Sequence, residues 1–284
     1  LLSHCGLNGD RALSWAIKGL VDLVVGGHSH DAVEEIDTTQ GVPVVQAGAF
    51  AERLGRVRLE VTSDGVRVAE VRHEVVADEW PSDPAVLDEL AACERDLQAW
   101  LDEPVGVLAE PAPWQELYDS AVTRTVTAAL LDAYPGDLGV LIAGHCTAGL
   151  PAGTVTRGDI WAATASPGNA ATATMTGREL RAMVAVGVSA EYATATPRTF
   201  RGRPRGALHL VGAELRDGDL HVGGVPVEDD RAYRVTGSDL ELSTYGGMVG
   251  AALADLVIHT PAILPELLES YLGASASSRN VRHV

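Results

Sequence analysis

Cysteine, lysine, phenylalanine and long apolar runs are all scarce in this chain of 284 residues, and most of these scarcities remove a class of protein. The three cysteines, Cys5, Cys93 and Cys146, are far apart and odd in number, which excludes a disulfide framework and a cysteine-rich zinc module. Each reads as a buried, inert thiol. No stretch of about eighteen apolar residues occurs, so no membrane-spanning helix is expected. Positive charge is short as well. The net charge is −18, no broad cationic field exists, and nucleic acid is excluded as a partner. Lys18 is the only lysine among 21 basic residues, a ratio to which no function attaches. No signal peptide is visible and the chain does not begin with Met, so it reads as a piece of a longer protein.

What is present is an ordinary globular balance, 46% hydrophobic and 21% charged, long enough for two cores. Residues 1–80 read as strand, helix, strand and a β-rich tail. Asp10–Leu20 has apolar residues at helical spacing with Asn8 or Asp10 as N-cap. Leu20–Val25 and Val42–Ala47 read as buried strands. Gly55–Val61 and Val66–Val75 alternate apolar and polar around Ser63-Asp64-Gly65, a hairpin signal. Residues 81–103 form an acidic amphipathic helix, which reads equally as a linker between domains or as one more helix of the second domain. In residues 104–284, helices are expected at Tyr118–Tyr134, at Gly177–Val188 with Thr176 as cap, and at Leu253–Leu272, interrupted by Pro261 and Pro265. Strands are expected at Leu138–Ala143, Ala207–Leu215, Asp219–Val222 and Tyr233–Thr236. A turn is expected at Pro151-Ala-Gly153, and a frayed tail over 274–284.

The most specific pattern is Asp22-Leu-Val-Val-Gly-Gly-His28-Ser-His30. An apolar run ends in two glycines, and two imidazoles follow where a strand gives way to a loop, a common place for chemistry on an α/β scaffold. Leu1-Leu-Ser-His4 is a second apolar run ending in histidine. Three imidazoles at neighbouring strand ends can converge on metal ions. The remaining histidines, His73, His145, His209, His221, His259 and His283, are scattered and read as surface or core residues.

Leu2-Ser3-His4 with Gly6, Leu7, Asp10 and Arg11, the His28/His30 segment, Pro43-Val-Val-Gln46-Ala-Gly48 and Leu54-Gly55-Arg56 together resemble the 5′-nucleotidase family of calcineurin-like metallophosphoesterases. Farther on, Leu150-Pro151-Ala-Gly153 with Thr156 and Asp159, Met175-Thr-Gly177-Arg-Glu-Leu180 and Gly223-Gly-Val-Pro226 before Tyr233-Arg-Val235 resemble that family's C-terminal substrate domain. The resemblance implies an α/β (α+β) chain: the C-terminal portion of a metallophosphoesterase β-sandwich with flanking helices over 1–80, a linker helix over 81–103, and a mixed α/β substrate domain over 104–284. It also implies two divalent metal ions (Mn, Zn or Fe) that polarise a phosphate and activate water. His4 and His28 would hold one ion and His30 the other. The resemblance implies that the family's Asp-x-His, Gly-Asp and Asn-His ligand segments precede the segment that begins at Leu1. The fragment alone is therefore expected to be inactive, with a loosened first domain. For the full-length protein, the resemblance implies export or a cell-surface location.

Several positions depart from the family's nucleotide-contact pattern. Thr147 stands where arginine is expected, Ala143 replaces an asparagine, Ser166-Pro-Gly-Asn169 lacks an aromatic residue, and Met248 occupies an acidic position. Asn169 and Tyr245 remain as candidate substrate contacts. The basic segment Arg198-Thr-Phe-Arg201-Gly-Arg203-Pro-Arg205 is read as a solvated loop, with phosphate binding through its guanidinium groups as the alternative. Two functions follow. One is metal-dependent hydrolysis of a small phosphoester, such as a nucleotide, by the parent protein. The other is a non-catalytic ligand-binding module descended from such an enzyme, and the remaining reading is a truncated gene product with no independent role.

Overall fold

The structure, a computed structural model, describes residues 1–35, 41–197 and 203–278. They form two compact units, Leu1–Asp88 and Glu89–Val284. Among the described residues, no helix is long and apolar enough to cross a membrane.

The first unit holds helix α1 (Gly6–Ala16), the short parallel pair β1 (Val24–Val25) and β2 (Val44–Val45), and a long antiparallel hairpin of β3 (Arg53–Thr62) and β4 (Gly65–Val75). Leu2 adds a parallel bridge to Val25, so Leu1–Ser3 runs alongside β1. Its buried apolar cluster is small: Val24, Val42 and Val44, with Leu7, Ile17 and Val21 packed on it. The hairpin closes around Ser63-Asp64 as expected, with a bulge between Arg58 and Leu59.

Helix α1 starts four residues earlier than its apolar spacing indicates. Asp10 is no cap, because it lies inside the helix and is fully buried. Ser3 Oγ donates to its carboxylate, and a polar tether of this kind is invisible to a hydrophobic periodicity. The expected strand Leu20–Val25 shrinks to its last two residues. Leu20 is 79% exposed, because Lys18 to Val21 forms a turn with its own bridge.

Helix α2 (Pro84–Leu101) crosses the division between the units and buries none of its side chains fully. The second unit then runs β5 (Pro104–Leu108), α3 (Ala121–Ala133), β6 (Leu138–Ile142), β7 (Gly153–Thr156), α4 (Arg157–Ala163), β8 (Asn169–Thr176), α5 (Gly177–Gly187), α6 (Ala190–Thr194), β9 (Leu208–Val211), β10 (Ala213–Arg216), β11 (Asp219–Val222), β12 (Val225–Pro226), β13 (Ala232–Ser238), α7 (Asp239–Leu242), β14 (Val257–Ile263) and α8 (Leu264–Ser278). A five-stranded mixed sheet in the order β14-β8-β13-β6-β9 is its spine, with β13 and β6 parallel and the other pairs antiparallel.

Strand β6 is buried along its whole length, which is why its sequence is an unbroken apolar run. Val140 and Ile142 point to the face covered by Leu180, Met183 and Val184 of α5. Leu141 points to the opposite face, among Val122, Val126 and Leu130 of α3 and Leu264 and Leu268 of α8. Three capping boxes fix helix starts. Thr156 and Asp159 close α4, Thr176 and Glu179 close α5, as expected from the sequence, and Ser238 and Glu241 close α7.

The terminal region departs from the expected interrupted helix. Val257–Ile263 is a strand on β8, and the helix begins only at Leu264, with Pro265 in its first turn. β-Branched Val257 and Ile258 favour the strand. Pro261 lacks the N–H that a helix interior requires, and it lies within the register shift between His259 and Ile263. Strand β8 itself carries no strong signal. Its threonines favour a strand but its alanines and Asn169 do not, and Ala171, Ala173 and Met175 line the core.

Candidate functional site

Two groups of polar side chains stand out, one in each unit. In the first unit, the loop after β1 is built on close backbone approach. A Cβ on Gly26 would sit 2.2 Å from Asp10 Oδ2, so any larger residue there would displace the Asp10 carboxylate. Past the two glycines, His28 and His30 both adopt left-handed backbone (φ 80° and 59°). Non-glycine residues hold such conformations at a cost of order 1 kcal/mol or more, typically where the surroundings impose them. Ser29, between them, supplies the fixing bonds. Its Oγ accepts from the Leu7 N–H at 2.9 Å and donates to Asp31 Oδ2 at 2.7 Å. His4 and His28 meet with ring centroids 5.1 Å apart, edge to face, whereas the ring contact of His30 is with Phe50 at 5.1 Å.

The donor chemistry tests whether these residues alone fit a metal. Two imidazoles are brought together, but among the described residues no group of three or more His, Cys, Asp or Glu side chains is placed to hold an ion. Structural metal sites typically need about four ligands. The residues present do not make a complete holder.

In the second unit, a buried polar cluster joins three elements. His145 lies in the single 3-10 turn after β6, Glu241 in the first turn of α7, and Ser166 in the loop leading to β8. His145 Nδ1 is 2.7 Å from Ser166 Oγ, and His145 Nε2 is 3.1 Å from Glu241 Oε1. Glu241 is wholly buried. Burial alone would raise its carboxyl, but the adjacent His145 imidazole and hydrogen bonds from His145, Ser238 and the Ile142 N–H outweigh that and hold it below the usual carboxylate value. His145 is a core histidine, one of the two roles expected for it, and what its isolated position in the sequence does not show is its partners. The signal that could have found it is the polar set Ser166, Ser238 and Glu241 flanking β8 and β13. Their convergence depends on strand order, which no local pattern reveals.

Asn169, a candidate substrate contact, opens β8, and its Nδ2 donates to Asp239 Oδ2 at 3.4 Å. Tyr245, the other, sits in the 244–246 turn and is 69% exposed. Thr147 is exposed and donates to the Ala162 carbonyl at 2.6 Å, while Met248 is buried in the apolar core. Arg198 and Arg201 lie outside the described residues. Arg203 donates to the carbonyls of Gly144 and Cys146 at 3.3 and 3.1 Å, and Arg205 stacks over the Tyr192 ring at 4.6 Å. Both described arginines are engaged with their own chain. The reading of three buried thiols needs correction: Cys146 is buried, and burial pushes its thiol up to about 12, but Cys5 and Cys93 are exposed. Cys93 lies on a helix with no fully buried residue, and Cys5 immediately precedes α1 without a side-chain capping bond.

The metallophosphoesterase YunD of Bacillus subtilis, itself uncharacterized, is 27% identical over 259 residues, covering 84% of this chain and 55% of that protein. The chain thus spans about half the length of that curated relative. A Staphylococcus aureus structure assigned as a candidate 5′-nucleotidase, solved with alpha-ketoglutarate, superposes with TM-score 0.67 at 16% identity, covering 93% of this chain and 55% of that one. The 5′-nucleotidase precursor of Thermus thermophilus gives TM-score 0.54 at 18% identity, covering 96% and 60%. At these identities the structures show a shared mixed α/β fold. Residues 104–253 match the model of the 5′-nucleotidase C-terminal domain, and the chain belongs to that family.

Proposed function

We propose that this chain is part of a metal-dependent phosphoester hydrolase, in which 1–80 contributes to the metal site, 81–103 is a linker helix and 104–284 is the substrate domain. Family membership, together with a relative described as a metallophosphoesterase, supports hydrolase-type chemistry. The observation that carries the finer reading is the His4–His28 pair at a backbone-strained strand end. In this reading, His4, His28 and His30 are this chain's contribution to a site for two divalent ions, and Asn169 and Tyr245 face a small phosphoester. The decisive experiment is a hydrolysis panel on the complete protein with added manganese or zinc, testing nucleotides, sugar phosphates and an aryl phosphate. Turnover that is lost in His28→Ala supports the proposal. Metal-independent turnover, or none with any phosphoester, overturns it.

A second reading, a ligand-binding module without catalysis, draws on Thr147 and Met248. One side chain bonds to the α4 backbone and the other is buried, so neither offers a charge to a nucleotide. It is favoured if the complete protein binds nucleotides in calorimetry while hydrolysing none.

A further inference from the structure

The cluster around Ser166 has no part in that proposal, and its order is hydroxyl, imidazole, carboxylate. Ser166 Oγ lies 2.7 Å from His145 Nδ1, and His145 Nε2 lies 3.1 Å from Glu241 Oε1. The carboxylate is sealed from solvent, the ring is 6% exposed, and Ser166 is half-buried at the open end. A hydroxyl bonded to a base that a buried carboxylate orients is the arrangement by which hydrolases on unrelated folds activate serine.

The partners also fix the tautomer. Glu241 Oε1 accepts from the Ile142 N–H at 3.2 Å, and Oε2 accepts from the Ser238 N–H at 3.1 Å and from the Ser238 hydroxyl. These donors keep the group a carboxylate, so it takes the Nε2 proton of the ring. His145 Nδ1 is then an acceptor facing the Ser166 hydroxyl. The geometry is held from rigid parts: the end of β6, the capping box of α7, and the turn before β8, where the Gly168 N–H donates to Ser166 Oγ at 3.3 Å. Gly168 is pressed on the ring, since a Cβ there would lie 3.2 Å from His145 Cε1.

We propose that Ser166 is a nucleophile for acyl transfer, with His145 as its base and Glu241 as the positioning residue, and that this site takes carboxylic esters. Ser166 Oγ bonds to the carbonyl carbon while its proton moves to His145 Nδ1. The bond to the alcohol oxygen breaks, and the departing alkoxide takes that proton. Water then adds to the acyl-serine, passes a proton to His145, and releases the carboxylic acid as the hydroxyl is restored.

The test needs no metal and is run in EDTA, so its outcome is separate from that of the phosphoesterase reading. The purified chain is treated with a fluorophosphonate, the adduct is mapped by peptide mass spectrometry, and 4-nitrophenyl acetate hydrolysis is followed in parallel. One phosphonyl group on Ser166 is expected. Ser166→Ala should melt like the parent and lose about 100-fold or more of both activities. Glu241→Gln should shift the pH profile of labelling, and Glu241→Asp should restore part of it. An adduct elsewhere, an undiminished rate in Ser166→Ala, or no adduct on a chain that melts cooperatively overturns the proposal.

Discussion

The two units of this chain bury their apolar residues on different scales. Around Val24, Val42 and Val44 the first unit gathers a few partly buried neighbours, and its long hairpin leaves Leu54, Leu59, Val61 and Val75 open to solvent. The second unit sandwiches its five-stranded sheet between two buried clusters, one under α5 and one under α3 and α8. Stability follows apolar area removed from water, so the second unit holds the larger share of the folding free energy. The first unit owes its local order to glycines and polar tethers. The comparison separates two ways of fixing a side chain: Leu141 is held by volume, and His28 by backbone geometry and the bonds of Ser29.

The largest effect that would sharpen this contrast is a core truncation. Leu180→Ala, fully buried between α5 and the sheet, should cost about 3 kcal/mol in denaturant unfolding. Leu59→Ala in the hairpin should stay within about 0.5 kcal/mol. Equal losses at the two positions would break the comparison. Hydrogen exchange offers a second handle. Amides of β8 and β13 should be protected far longer than those of β3 and β4, and the reverse order would show that the small core governs.

A smaller effect is expected at the α5 cap. Thr176→Ala removes one partner of the box with Glu179 and should cost about 1 kcal/mol, read as a lowered denaturation midpoint. The smallest is a pH effect at His209. Burial pushes its imidazole below the usual value, and it is bonded as a neutral ring: Nε2 accepts from the Ser120 N–H at 2.8 Å while Nδ1 faces the Ala207 carbonyl at 3.0 Å. With the folded value depressed, the unfolded chain takes up protons first. Stability is therefore complete above the unfolded histidine value, about 6.5, and falls as pH drops below it. Denaturant midpoints between pH 8 and pH 5 should decline less steeply in His209→Gln than in the parent, and parallel curves would remove His209 from the account.

How legible each region was follows the same physics. The β3–β4 hairpin, β6, the Thr176 cap and the family motifs could all be read from the chain, because alternation, apolar runs and turn chemistry act over a few residues. Three features were not legible. Helix α1 starts early because Asp10 is tethered to Ser3. Strand β8 hides in an Ala/Thr run. Val257–Ile263 pairs as a strand because β8 is beside it. The imidazole pair shows both sides. The His-Ser-His spacing could be read directly and the resemblance paired His4 with His28, but the left-handed backbone at residues 28 and 30 could not be read from the chain.

By itself the sequence determined the class of fold, the family and the positions where chemistry-bearing residues leave their strands, because periodicity, glycine placement and capping are local in their physical origin. Only the tertiary structure decided which of those residues touch. Glu241 reaches His145 across 96 residues and Ser166 reaches it across 21, through the order of strands in one sheet. That order is set by the packing of whole elements around shared cores, a free energy that belongs to no single segment of the chain.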